Sequence, residues 1–287
     1  MTGRLNFAAR SFFFIKIIPK LQKNSLLWKI EGEGLPGPSY LFGTMHVRDQ
    51  RAFQQLGRVY EAVEACEGFA AEFHLAETGS GIPTEVIQLP DGQRISDLLP
   101  KKKFERQRQV LLKSTGVDLA HFDRMLPFMV VNFATENLLG QDMPETLDQH
   151  LWAFAQNKGK ALHGIETFQE QMEVLAKISL ETQLKMLAGL CKNIGRFRQY
   201  LLRLAELYEA GAVQRLYKMV KKNSKGLRAL MLYRRNGIMA ERIAGLAQEK
   251  PVFVAIGAAH LSGGKGVLRL LKKRGFTLRP IQLLDNQ

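Results

Sequence analysis

Two apolar stretches of this chain, YLFGTMHV at 40–47 and FVAIGAAHLSG at 253–263, end on the same phrase: a glycine, two small or apolar residues, then a histidine. Short apolar runs that stop at a glycine read as buried strands, and the run PVFVAIGA at 251–258 is the clearest of them. Ligands of open α/β sheets gather outside the carboxyl ends of the strands. If both runs join one sheet, His46 and His260 reach a single crevice. Imidazole is the commonest side-chain metal ligand and a general base near neutral pH. The glycines allow close approach of backbone to such a site. Two loop-end histidines bonded to nearby carbonyls are the plain alternative.

Other segments supply the remaining sheet. LLWKIE (26–31), SYLFGTM (39–45), GFAAEFHL (68–75), KALHGI (160–165) and FTLRPIQ (276–282) read as further strands. The joint GEGLPGP spells Gly32-x-Gly34-x-x-Gly37, a dinucleotide-binding pattern. That pattern needs a helix opening on its glycines, whereas Pro36, Pro38 and a following strand make it a hairpin turn. Helical periodicity covers 49–65, 97–115, 125–139, 146–158 and nearly all of 179–247, with a short helix at 264–273. Thr146 with Gln149 and Thr167 with Glu170 form capping boxes that start two of the helices. The expected fold is α/β: a mixed sheet with flanking helices and a large helical insertion, about 95–247, over the strand ends. One domain over 26–287 follows a basic, apolar segment at 1–25. At 287 residues and 46% hydrophobic content the chain can bury a substantial core.

Glu72 stands in the otherwise apolar strand GFAAEFHL. A buried carboxylate without a partner costs several kcal/mol, roughly, so it requires a cation or donors. A divalent metal held by His46, Glu72 and His260 meets that need, and two histidines with a carboxylate form a catalytic set for zinc or a redox metal. An arginine or lysine partner for Glu72 is the alternative. His74 lies on the same strand face as Glu72 and is a further candidate ligand.

The segment MTGRLNFAARSFFFIKIIPK is broken by Lys16 and Pro19 and lacks a cleavage pattern, so no cleavable signal is expected. No apolar run reaches the ~18 residues that span a bilayer. Cys66 and Cys191 give no disulfide framework. A cytoplasmic setting is expected, with peripheral membrane association through the basic segment left open. The net charge of +14 is spread over KKKFERQRQ, RFRQYLLR, YKMVKKNSKGLR and LRLLKKRGFTLR. It suits an anionic partner such as nucleic acid, a membrane surface or an acidic substrate, or else solvated helix faces. No zinc finger, HExxH, G-x-S-x-G elbow or aromatic-basic nucleic-acid signature is present in the sequence. SGGKGV (262–267) departs from the phosphate-loop spacing.

Taken together, LFGTMHV, Glu72 in AAEFHL, LDQHLWAFAQNKGKALHGIETFQEQ (147–171), RRNGIMAERI (234–243) and VAIGAAHLSGGKGVLRLLKKRGFTL (254–278) resemble the bacterial TraB/GumN family. That family is related to the Tiki metalloproteases and similar in fold to ChaN and erythromycin esterase proteins. The resemblance covers about 26–282. It implies a metal-dependent, peptidase-like hydrolase using divalent zinc, manganese or cobalt, with a peptide or protein as substrate. It also implies His46, Glu72 and His260 as the metal set, with Glu72 as ligand or base. Arg235, Asn236, Asp148 and Glu166 fall at the family's remaining site positions. Arg235 is then expected to stabilise negative charge on an intermediate, and Asn236 to orient a ligand. Asp148 has a simpler role available in its helix's first turn, and Glu166 in a local turn. A non-catalytic module binding a peptide or haem-like ligand, and a basic protein bound to nucleic acid or membrane, are the rival readings.

Overall fold

The computed structural model describes residues 24–54, 56–78, 84–224 and 226–283. The segment 1–25 therefore lies almost wholly outside the described residues. Six strands, β1 (Leu27–Glu31), β2 (Ser39–Thr44), β3 (Gly68–Phe73), β4 (Ala161–Glu166), β5 (Val252–Gly257) and β6 (Thr277–Ile281), form one mixed sheet in the order β4-β3-β5-β2-β1-β6. Neighbours among β4, β3, β5 and β2 pair in parallel, and β1 is antiparallel to both β2 and β6. Four carboxyl ends thus open along one edge. β5 lies between β3 and β2, so its carboxyl end is flanked by theirs.

Between β2 and β3 runs α1 (Gly57–Glu64), preceded by a 3-10 turn at Gln50–Phe53. The single helix expected over 49–65 is thus broken. Past β3 come two short helices, α2 (Thr84–Ile87) and α3 (Ile95–Leu98), then α4 (Lys101–Thr115), α5 (Pro127–Glu136) and α6 (Leu147–Asn157). Past β4 come α7 (Phe168–Ala176), α8 (Leu180–Lys192), α9 (Ile194–Glu209) and α10 (Val213–Asn223). α11 (Arg235–Glu249) precedes β5, and α12 (Val267–Lys273) links β5 to β6. β4 interrupts the helical span 95–247, so its helices leave the sheet twice. Thr146 and Thr167 both make complete capping boxes, which fixes where α6 and α7 begin.

The sheet core is an aromatic ladder across the parallel strands. Phe69 of β3 stacks on Phe253 of β5 at 5.6 Å, Phe42 of β2 lies 6.3 Å from Phe253, and Trp152 of α6 meets Phe69 edge-on. α1 and α6 join through Tyr60 and Phe154, whose ring centres are 4.4 Å apart. Helices α11 and α12 pack on each other and reach β5 and β6. The hairpin between β1 and β2 turns at Gly34, whose φ of +78° suits glycine. Both cysteines are free and buried. Among the described residues no helix is long and apolar enough to cross a membrane.

Gly43 shows why the first phrase needs its glycine. A Cβ there would lie 2.6 Å from Leu261 Cδ1 and 3.0 Å from Ala258 Cα, so the two histidine phrases touch each other through this residue. Its carbonyl accepts a buried hydrogen bond from Tyr208 of α9 at 2.8 Å. Gly43→Ala is expected to destabilise the fold by about 1–3 kcal/mol through overpacking, measured as a lower denaturant midpoint. A midpoint equal to the parent's would show that Leu261 yields freely.

Candidate active site

The parallel strands deliver polar residues to one edge at successive positions. Thr44 at the end of β2 is in register with Gly257 of β5, and Phe73 of β3 with Glu166 of β4. Glu72 therefore stands beside Gly257, whose N–H donates to Glu72 Oε1 at 2.7 Å. A Cβ on Gly257 would sit 3.0 Å from that oxygen. The second glycine thus makes room for the carboxylate.

Helix α11 brings the cation that Glu72 needs. Arg235 Nη2 donates to Glu72 Oε2 at 2.7 Å, and Nε and Nη2 together clamp Glu166 at 2.5–3.1 Å. The alternative of an arginine partner for Glu72 is thus realised. The Glu166 side chain is 2% exposed. Burial pushes the Glu72 carboxyl up, but Arg235, His260 and the Gly257 N–H outweigh it and hold it down to about 2. Two of the three guanidinium nitrogens are committed to carboxylates, so Arg235 ties Glu72 to the buried Glu166. A six-residue π-helical turn, Ala229–Arg234, runs directly into this arginine and sets the register of α11.

Asn236, the next residue, is buried and fixes His260. Its Nδ2 donates to the Lys265 carbonyl at 2.7 Å, which leaves Oδ1 to face His260 Nδ1 at 2.5 Å. Nδ1 must then carry the proton, and Nε2 bears a lone pair. Nε2 lies 3.8 Å from Glu72 Oε1. Burial lowers the His260 pKa to about 4, with Arg235 adding to the fall and Glu72 opposing it, so the ring is neutral. Two lone-pair donors face each other across a gap of the size a cation occupies. This donor chemistry fits a divalent metal.

His46 is held differently. Its Nδ1 donates to Asp148 Oδ2 at 3.3 Å, and its Nε2 lies 3.4 Å from Glu136 Oε1. The ring is 57% exposed, and its partial loss of solvent is outweighed by Asp148 and Glu136, so its pKa rises to about 10. Asp148, in the first turn of α6, also accepts from Thr44 Oγ1 at 2.5 Å. Its tie to β2 goes beyond the helix dipole. His46 and Glu72 line one cavity of about 520 Å³, together with Glu136, Asp148 and Arg235. Among the described residues, however, no three His, Cys, Asp or Glu side chains stand close enough together to hold a metal ion. His74 is not in this cluster, its ring meeting Trp152 edge-on at 4.8 Å.

Glu136 and Thr44 join the site without having been expected there. Thr44 lies inside the first Gly-x-x-His phrase, where a hydroxyl at a strand end is a usable signal. Glu136 closes α5 with no local motif, and only tertiary packing brings it to His46.

A parallel-edged α/β scaffold that lines one cavity with His46, Glu72, Glu136, Asp148 and Arg235, and sets His260, held by Asn236, against Glu72, defines a polar site at the strand ends. The chain belongs to the TraB/PrgY/gumN family, whose sequence model matches residues 26–280. It is 21% identical to a metalloprotease TIKI homolog of Amphimedon queenslandica, over 92% of this chain and 62% of that protein. Metalloprotease TIKI2 of Danio rerio is 23% identical over 91% of this chain and 62% of its own length. Metalloprotease TIKI1 of Xenopus tropicalis is 24% identical, over 89% and 61%. The chain thus spans about three fifths of these relatives. No solved structure matches it.

Proposed function

We propose that the chain is a metal-dependent hydrolase of peptide bonds, with His260 and Glu72 as two ligands of a divalent cation and His46 as a third that would have to lose its proton and release Glu136 from Nε2 to bind. The observation that carries this reading is the facing pair, His260 Nε2 and Glu72 Oε1, 3.8 Å apart with the imidazole neutral. Its support in kind is that the relatives are named metalloproteases. A divalent cation here supplies Lewis acidity and a water of lowered pKa. The protein's own groups do the rest. Asn236 keeps the His260 lone pair at Nε2, Arg235 keeps Glu72 ionised and aimed, and Asp148 orients His46 through Nδ1. Glu72 serves as ligand or as base toward the attacking water.

A ligand-binding module on the same scaffold is the second reading, favoured by the engagement of both His46 nitrogens with carboxylates. Metal analysis separates the two. The purified protein, stripped by chelator and dialysed against Zn²⁺, Mn²⁺ or Co²⁺, is expected to retain about one ion per chain and to cleave a peptide mixture only when reloaded. Failure to bind any of the three at micromolar concentration, with chelator-insensitive cleavage or none, would sink the hydrolase.

A further inference from the structure

The cavity has two unlike ends, and the second is not used by the chemistry above. Phe128, Met129 and Phe133 of α5, Met172 and Leu175 of α7, and Met231 of the π-turn form its apolar wall. On α5 the lining residues recur at i, i+1, i+4, i+5, i+7 and i+8, from Phe128 to Glu136, so one helix face runs from apolar wall to polar site. Phe128, Met129 and Leu175 belong to a small hydrophobic cluster with Ile87 and Ile178, separate from the core that holds the sheet. The wall thus rests on packing of its own, apart from the sheet core. Its three methionines and two phenylalanines give a polarisable, adaptable surface.

The junction between the two ends carries side-chain amides. Asn132 of α5 and Gln171 of α7 both line the cavity. Gln171 donates through Nε2 to Glu166 Oε2 at 3.4 Å, which leaves its carbonyl oxygen as an acceptor. Amides of this kind pair with a peptide backbone, donor to acceptor and acceptor to donor. At about 520 Å³ the space exceeds what one side chain fills and lies in the range of sites that enclose a small ligand.

We infer that the apolar wall is a specificity pocket: the substrate is a polypeptide presenting a large apolar side chain, Phe, Leu, Met or Trp, close to the bond that Glu72 and His260 address. The inference rests on the peptide-hydrolysis reading for its substrate but not for its geometry. Met172, one turn beyond Phe168, is partly buried on the α7 wall and lines the pocket. A lysine there places an ammonium in the apolar wall, and its flexible stem can still reach solvent, so the fold is kept.

Two measurements with one probe test this. A defined mixture of synthetic decapeptides is incubated with the metal-loaded protein, and cleaved bonds are identified by mass spectrometry. The same mixture is passed over immobilised His260→Ala protein, which lacks one of the proposed ligands. At one position beside the cleaved bond, large apolar residues are expected to be enriched about tenfold. Peptides carrying them are also expected to be retained on His260→Ala. Met172→Lys is expected to abolish both preferences and Met172→Leu to keep them. Apolar retention that Met172→Lys removes, without any cleavage by the parent, would uphold the pocket while ending the hydrolase. Cleavage with no apolar preference, a preference indifferent to Met172→Lys, or neither cleavage nor retention would overturn the pocket.

Discussion

Replacing Arg235 by alanine is expected to cost about 3–5 kcal/mol of folding stability, the penalty of removing one partner from a buried ion pair. The guanidinium bonds to both Glu72, at 2.7 Å, and Glu166, at 2.5–3.1 Å. Without it, a carboxylate 2% exposed and another beside it lose the cation that bonds to both. The loss should appear as a lower denaturant midpoint at unchanged slope. Arg235→Lys should fall between, because an ammonium keeps the charge but cannot form the two-sided fork. Adding Glu166→Gln to Arg235→Ala should recover part of the loss, since it removes one of the two stranded charges. A cost below about 1 kcal/mol, the scale of a surface pair, would mean that water already reaches Glu166.

The largest expected effect on activity is that of Glu72→Gln, a fall in peptide hydrolysis of about 10²–10⁴-fold, the usual worth of a general base. Metal content decides the role. A base predicts that the cation stays while turnover per bound ion collapses, whereas a ligand predicts that both fall together. The substitution also carries a folding cost. Glu72 accepts from Gly257 N–H on one oxygen and from Arg235 on the other. An amide in its place must turn its NH₂ toward one of those donors, which costs about 1–3 kcal/mol. Hydrolysis per folded, metal-bearing chain is therefore the quantity to compare. Unchanged turnover on that scale would remove Glu72 from the chemistry.

Much of the architecture is readable from local pattern, because strands ending in glycine and helices opening on capping boxes declare themselves within a few residues. All six expected strands exist within a residue or two, and Thr146 and Thr167 cap as their spacing requires. Glu72 can be singled out because a carboxylate in an apolar strand demands a partner. Which partner it has cannot be read, since Arg235 lies 163 positions away and only the packing of α11 against the sheet chooses it. The same holds for Glu136 on His46. The break between Gln50–Phe53 and α1 is not legible because helical periodicity runs on through a region where the backbone changes winding. His260 reads as a loop-end residue, yet it is buried, its setting made by Asn236 and the crossing of Leu261 over Gly43.

The central place of β5 governs how the chain reaches this state. β2 and β3 do not touch until Val252–Gly257 inserts between them, and Tyr40 must find Phe253 across 213 intervening peptide bonds. Such a pairing is slow to nucleate, since loop closure is paid for before any contact rewards it. During synthesis, two half-sheets with open apolar borders must wait, prone to association, until the last strands leave the ribosome. The wait also keeps Glu72 and His260 apart. A nascent chain short of residue 260 has no complete cluster at the sheet's edge.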